Sequence, residues 1–143
     1  MRVSQLSVFL ENKSGRLADV TRTLADANIN IRALSIADTI DYGLLRLIVN
    51  DPVAAKDALA NAGFTAALTD VLAVEVADRP GGLAKIIEIL AESGINIEYM
   101  YAFVGRSGEH AIVVLRIERV DEAATILREK GVRILAGEEL HSL

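Results

Sequence analysis

The amino-acid sequence predicts an α+β fold of two ferredoxin-like βαββαβ domains in tandem, with the helices on one face of antiparallel sheets. The first supporting observation is a turn motif that occurs twice, at residues 12–17 and 78–83. The second is an Ile-Asn-Ile triplet that follows each motif at the same distance, at residues 29–31 and 95–97. The offset of about 66 residues between the copies is long enough for one small domain in each.

The first copy is predicted to begin with a strand over residues 5–10. Leu6, Val8 and Leu10 alternate there with Gln5, Ser7 and Phe9, which is the period of two that a strand requires. Ser14 is predicted to cap the following helix by accepting a hydrogen bond from an early backbone N–H. Asn28 lies where a left-handed residue is expected to end this helix. The apolar face of the helix, read at helical spacing, consists of Leu17, Val20, Leu24 and Ala27.

The rest of the first copy is predicted as a hairpin, a second helix and a last strand. Asp51 is expected to cap the second helix, with Pro52 at the first helical position, where its missing N–H costs little. The last strand begins near Phe64. The other predicted bounds are a strand at 29–36, a turn at 39–43, a strand at 44–49 and a helix at 54–62.

The second copy repeats this order, and we place the two domains at 1–70 and 71–143. Residues 66–76 contain neither proline nor glycine, so the last strand of the first copy is expected to lead directly into the next strand. The first helix of this copy is expected to turn Leu83, Ile86, Ile87 and Leu90 inward. The predicted bounds are a strand at 71–76, a helix opened by 79–81, strands at 95–104 and 110–117 around a turn at 105–108, a helix at 121–130 capped by Asp121, and a strand at 132–135.

The composition excludes several classes of protein. The net charge of −5 leaves no cationic footprint for nucleic acid, and no apolar segment approaches the length of a membrane span. Because the chain has no cysteine, it has no disulfide, thiolate nucleophile or zinc-thiolate site, and a cytoplasmic location is expected. A hydrophobic content of 52% predicts apolar surface buried between the halves and between chains, hence a homodimer or larger oligomer.

Few residues are candidates for catalysis. The only histidines, His110 at a strand start and His141 near the C-terminus, have no patterned carboxylate or nucleophile beside them in the sequence. No phosphate-binding loop, dinucleotide fingerprint or nucleophile elbow is present. The sequence therefore predicts a protein that is not an enzyme and that needs neither metal nor cofactor.

The two repeated turns are the better candidates for a site. Backbone N–H groups at a helix N-terminus attract a carboxylate, and Gly15, Gly81 and Gly82 allow a ligand close to the backbone. Asn30 and Asn96 are expected at the same edge, where their side chains would meet the ammonium group of a small zwitterion. The structural alternative is that glycine and asparagine serve the turn geometry alone.

One strand of the second copy is rich in aromatic residues. Tyr99, Tyr101 and Phe103 share one face if this strand is regular. A core or subunit interface is the favoured interpretation, and an aromatic wall beside a ligand pocket is the alternative.

With these motifs in place, the sequence resembles the tandem ACT-domain proteins. The family pattern is an Asp-x-Pro-Gly-x-Leu turn and a Gly/Asn-Ile-Asn-Ile strand entry, which the second copy matches closely and the first more loosely. Asn12 and Ser14 stand where the family usually has Asp and Pro. Carried over by position and widened to their neighbours, the ligand-binding residues would be Leu10, Glu11, Asn12, Lys13, Ser14, Gly15, Arg16, Leu17, Asn30 and Ile31, with Ala77, Asp78, Arg79, Pro80, Gly81, Gly82, Leu83, Asn96, Ile97 and Tyr99.

The resemblance implies a regulatory function. Such domains bind amino acids at interfaces and report their concentration to a metabolic enzyme. The expected partners are a free amino acid, a second copy of the chain and an amino-acid biosynthetic enzyme, with neither nucleic acid nor membrane. The chain would then be a stand-alone sensor or a free-standing pair like the small subunit of acetolactate synthase. The alternative is a structural subunit without a small ligand, whose strand edges join another protein's sheet.

Overall fold

The computed structural model describes residues 2–38, 41–103 and 110–141, and the chain forms two compact units. Ser4–Thr69 make up the N-terminal unit, and Met1–Val3 with Asp70–Leu143 make up the C-terminal unit. The predicted fold class is confirmed, since antiparallel sheets and helices follow one another in the ferredoxin-like order. The predicted division into 1–70 and 71–143 falls within a single strand and stays a prediction.

The N-terminal unit orders its strands β2-β3-β1-β4. β1 and β3 are antiparallel, and the register places Val8 opposite Leu45. Those two side chains are fully buried with Val20 and Leu24 of the first helix, so the helices cover one face of the sheet. The elements are β1 (Val3–Glu11), α1 (Arg16–Asp26), β2 (Ile31–Asp38), β3 (Tyr42–Val49), α2 (Pro52–Asn61) and β4 (Thr65–Ala77).

The C-terminal unit has the same strand order, with β7 and β6 on either side of β4 and β5 outside β6. Its core combines Val74 and Leu115 of the sheet with Leu90 and Leu127 of the helices. The elements after β4 are α3 (Gly82–Glu92), β5 (Ile97–Ala102), β6 (His110–Ile117), α4 (Val120–Glu129), β7 (Ile134–Leu135) and α5 (Gly137–His141). β4 runs without interruption over 13 residues, as the absence of proline and glycine predicted.

One of the three predicted side-chain caps is correct, and α3 begins directly after residues 79–81, as predicted. The Asp51 side chain accepts a hydrogen bond from the backbone N–H of Ala54 at 3.1 Å, which confirms this cap. The Ser14 cap was wrong, because α1 is preceded by Gly15 in the left-handed conformation with no side-chain cap. The Asp121 cap was also wrong, since this carboxylate lies in the first turn of α4 and Arg119 is the capping position.

Two other predictions need correction. Leu17 and Leu83 were expected to face inward, but they are 42% and 38% exposed because each lies in the first turn of its helix, close to the glycine turn. Ala27 is exposed, Ile87 is only partly buried, and Ile89 is buried in the core instead. The helix α5 was not predicted, and the strand expected at 132–135 is reduced to β7. Parts of the predicted turns, residues 39, 40 and 105–108, lie outside the described residues.

Arg2 joins the beginning of the chain to the C-terminal unit. Its guanidinium donates to Asp121 at 2.7 and 3.0 Å and to Asp70 at 2.7 Å. The hydrogen bonds from Arg2 lower the pKa of the Asp121 carboxyl group. The stabilisation from this pair is therefore complete above the ordinary carboxyl pKa of about 4 and is lost as the pH falls through the lowered pKa.

Arg2→Met is expected to lower the melting temperature near neutral pH, and its effect should diminish as the pH falls below the ordinary carboxyl pKa of about 4 and Asp121 becomes protonated. Thermal unfolding between pH 2 and 7 measures this difference. Arg22→Met is the control, since Arg22 forms an exposed ion pair with Asp26 at 3.7 Å within one helix. An equal effect of Arg2→Met at all pH values would contradict the assignment.

Candidate functional site

The turn between β4 and α3 is held by short backbone hydrogen bonds. The Arg79 N–H donates to the Ala77 carbonyl at 2.9 Å, and the Gly82 N–H donates to the Arg79 carbonyl at 3.0 Å. Gly81 adopts a φ of 88°, which disfavours a side chain. Within the described residues, the N–H groups of Leu83 and Ala84 have no acceptor. The helix start therefore keeps unused donors, as expected for an N-terminal turn.

A cavity of about 430 Å³ lies beside this turn. This volume is within the range of small-molecule sites, about 300–1,000 Å³. The cavity lies within the C-terminal unit, between the end of β4, the start of α3, the start of β6 and the segment before β7. Its lining residues are Glu75, Ala77, Arg79, Pro80, Gly81, Gly82, Lys85, Ile86, His110, Gly131, Val132 and Arg133.

Glu75, His110 and Arg133, three residues of the cavity lining, are connected by polar contacts. Glu75 accepts a hydrogen bond from Arg133 at 2.8 Å, and its other oxygen lies 3.4 Å from Nδ1 of His110. Arg133 also donates to Glu139 at 2.7 Å. These hydrogen bonds raise the pKa of Arg133, and the one to Glu75 has the larger effect. The pKa of Glu139 is lowered, mainly by the hydrogen bond from the Ala136 N–H and next by the one from Arg133. Arg133 is therefore already compensated by two carboxylates.

Two further cations of the cavity lining have no partner among the described residues. Among the described residues, neither the Arg79 guanidinium nor the Lys85 ammonium forms an ion pair or a side-chain hydrogen bond. Both side chains line the cavity, whereas the neighbouring Asp78 does not. The cavity thus presents one anchored carboxylate, Glu75, and two uncompensated positive charges.

The turn of the N-terminal unit has different surroundings. Gly15 has a φ of 90°, and the Arg16 N–H donates to the Lys13 carbonyl at 3.3 Å, as in the second copy. However, the Arg16 guanidinium lies 4.9 Å from the centre of the Phe64 ring and 3.4 Å from Asp19. The Lys13 ammonium pairs with Glu11 at 3.1 Å. The cations of this turn are compensated by its own unit.

The structure brings together only part of the predicted site. Five predicted residues line the cavity: Ala77, Arg79, Pro80, Gly81 and Gly82. Asp78 and Leu83 belong to the same turn but do not line it. The residues of the first copy from Leu10 to Leu17 surround the other turn, in the N-terminal unit.

The asparagines lie at the opposite end of the sheet, which corrects the expectation that they share an edge with the glycine turns. On β6, His110 pairs with Ala77 at the end of β4. Ile117, which lies seven residues further along β6, pairs with Ile97 at the start of β5. At about 3.3 Å per residue, this separation is about 23 Å. The reason is topological, because each helix carries the chain from one end of the sheet to the other before the asparagine. Asn30 and Ile31 are displaced in the same way, and the Asn30 N–H donates to the Asn50 side chain at 2.9 Å.

The aromatic residues of β5 do not line the cavity, so the alternative of an aromatic wall there is wrong. Tyr99 and Tyr101 are partly buried and belong to neither hydrophobic core, while Met100 between them packs against the core. A register shift between Ile97 and Tyr99 precedes them in the strand. A subunit interface stays a prediction for these tyrosines.

Several cavity residues escaped sequence reasoning. They are Glu75, Lys85, Ile86, His110, Gly131, Val132 and Arg133. Glu75 gave one signal, as a carboxylate flanked by valines in an apolar strand. His110 was judged to lack a carboxylate, but the sheet register and the approach of β7 bring it and Arg133 to Glu75 from distant parts of the sequence.

The sequence matches the family model of an ACT domain pair over residues 1–143. The chain belongs to the ACT-domain family. The resemblance seen in the repeated motifs is thereby confirmed. No curated protein matches this ACT-domain chain significantly.

Solved structures show the same ACT-pair architecture. Protein BT0572 from Bacteroides thetaiotaomicron is 45% identical with a TM-score of 0.94, and the match covers 100% of this chain and 98% of that one. The ligand-free regulatory subunit of aspartate kinase from Thermus thermophilus is 20% identical with a TM-score of 0.65, over 88% and 90% of the chains. E. coli aspartokinase III in complex with lysine and aspartate is 16% identical with a TM-score of 0.53, over 90% and 30%. The last two likenesses show the fold alone.

No helix among the described residues has the length and apolar character required to cross a membrane. The same part of the chain contains no cluster of three or more His, Cys, Asp or Glu side chains that could hold a metal ion.

Proposed function

We propose that this ACT-domain protein is a non-catalytic cytoplasmic regulator that binds a free amino acid in the cavity of its C-terminal unit. Binding would modulate a partner enzyme of amino-acid biosynthesis. The observation that supports the proposal is the cavity itself, whose lining combines the Glu75 carboxylate with the cations Arg79 and Lys85, which have no ion-pair partner among the described residues. A free amino acid has the complementary pair of charges on a single small molecule.

The carboxylate and the cations of the lining would bind different groups of the ligand. The ammonium group of the ligand would donate to Glu75, whose side chain is 20% exposed and already fixed by Arg133. The ligand carboxylate would be bound by Arg79 or Lys85, beside the glycine turn. Hydrogen bonds to charged groups contribute about 1.5–3 kcal/mol each, so contacts of this kind at both ends of a small zwitterion would favour its binding.

Regulation requires a ligand that distinguishes two states of the protein. The separation of about 23 Å between the glycine turn and Asn96 means that one small ligand cannot touch both in the same unit. If Asn96 contributes to the site, it has to come from another chain. A homodimer that closes around the ligand would supply the required difference in affinity.

Isothermal titration calorimetry with the twenty amino acids tests the proposal. Glu75→Gln is expected to weaken binding by about tenfold or more, because a neutral amide lacks the charge that attracts the ammonium group. Glu92→Gln is the control, since Glu92 is an exposed residue of α3 that does not line the cavity. No binding of any amino acid, or equal binding by both variants, would contradict the proposal.

A second candidate function is a partner-binding subunit without a small ligand. It is favoured by β2, the outermost strand of the N-terminal unit, where Leu34 and Ile36 are each 45% exposed. An enzyme that copurifies in fixed stoichiometry and does not respond to any amino acid would support this alternative.

A further inference from the structure

We infer that the cavity of the C-terminal unit selects a ligand with two anionic groups, an acidic amino acid rather than a neutral one, and that Lys85 and Arg79 determine this selectivity. This inference rests on the proposed function and specifies its ligand. It follows from the distribution of charges around the cavity.

The cavity has more positive charge than a neutral amino acid can compensate. Among the described residues that line it, Arg79, Lys85 and Arg133 are cationic, and Glu75 is the one that carries a carboxylate. Arg133 is neutralised by Glu75 and Glu139 at 2.8 and 2.7 Å. Arg79 and Lys85 therefore remain as two uncompensated cations around one small volume. The α-carboxylate of a ligand would compensate one of them, and a second anionic group would compensate the other.

The corresponding positions of the N-terminal unit have a different charge pattern. Lys85 comes four residues after Gly81, and the residue four after Gly15 is Asp19, of opposite charge. Asp19 is already paired with Arg16 at 3.4 Å.

The first copy also has no carboxylate at the position that corresponds to Glu75. Six residues before each turn glycine, Glu75 is matched by Phe9, which is 60% exposed. His110 pairs with Ala77 in the C-terminal unit. The matching pair in the N-terminal unit is Tyr42 with Glu11, so a tyrosine stands at the position of the histidine. We therefore expect one acidic ligand per chain, bound in the C-terminal unit.

Calorimetry with two matched pairs of ligands, aspartate with asparagine and glutamate with glutamine, tests the inference. Each pair differs mainly in one carboxylate, so the ratio of affinities isolates the second anionic group. We expect at least one acidic ligand to bind about tenfold or more tightly than its amide, a difference of about 1.4 kcal/mol. The expected stoichiometry is one ligand per chain.

Lys85→Met is expected to reduce this preference to about twofold or less, because it removes one of the two cations that a second anionic group would meet. Lys56→Met is the control, because it removes the same charge from an exposed position on α2 of the N-terminal unit. Arg79→Met provides a second variant at the cavity if Lys85→Met does not fold, as judged by circular dichroism.

The outcomes separate this inference from the proposed function. Tighter binding of a neutral amino acid, or an acidic preference that survives both cavity variants, would overturn the inference alone. Binding of none of the twenty amino acids would overturn the proposed function and the inference with it. Two acidic ligands per chain would overturn the assignment to the C-terminal unit.

Discussion

Leu90→Ala is expected to lower the free energy of unfolding by about 2–5 kcal/mol, as for other fully buried leucines. The side chain is 0% exposed and packs in the core of the C-terminal unit between α3 and the sheet. Removing three carbon atoms there leaves a cavity that the surrounding strands cannot close completely. Urea denaturation followed by circular dichroism measures the change.

Leu83→Ala is the matched control for this prediction. Both leucines belong to α3 and were predicted from helical spacing to face inward, but Leu83 is 38% exposed. Because part of its surface is already in water, we expect a loss of about 1 kcal/mol. Equal losses for the two variants would contradict the burial seen in the structure.

Gly82→Ala is expected to destabilise the protein by about 1–3 kcal/mol, the usual cost of forcing extra atoms into a closely packed site. A Cβ atom at this position would collide with the carbonyl oxygen of Ala77. That carbonyl accepts the hydrogen bond from the Arg79 N–H, so the collision disturbs the whole turn. Since the same turn lines the cavity, binding of a ligand should weaken together with stability.

Gly137→Ala is the control for this glycine. A Cβ atom there would meet no heavy atom within 4 Å, and the residue begins the short helix α5. We expect its midpoint of urea denaturation to stay close to that of the unmodified protein. A Gly82→Ala variant as stable as Gly137→Ala would show that the turn can relax without cost.

Local sequence patterns were sufficient to predict the architecture, because strand and helix periodicities and glycine turns are encoded within a few neighbouring residues. Asp51 with Pro52 illustrates this, since the cap and the first helical residue are adjacent in the chain. Ser14 illustrates the limit: a serine suited to capping precedes a glycine, and the left-handed Gly15 takes the capping position instead.

The site was only partly predictable, because its chemistry depends on distant residues. The glycine turn of the cavity was found from its repetition. The contacts of Glu75 with His110 and Arg133 depend instead on the pairing of β4 with β6 and β7, which no local pattern specifies. The prediction for Asn30 and Asn96 was wrong for the same reason. Each asparagine follows the glycine turn by only one helix in the sequence, but that helix carries the chain to the other end of the sheet.

The long strand β4 also has a consequence for experiments on fragments. Its first residues belong to the N-terminal unit, and residues 72–77 pair with β6 in the C-terminal unit. A gene cut between residues 70 and 71, at the midpoint of the duplication, would leave each product with a truncated strand, and Arg2 would be separated from Asp121. Although the sequence is repeated, its halves are no longer modules that can be exchanged or expressed separately without redesigning the joint.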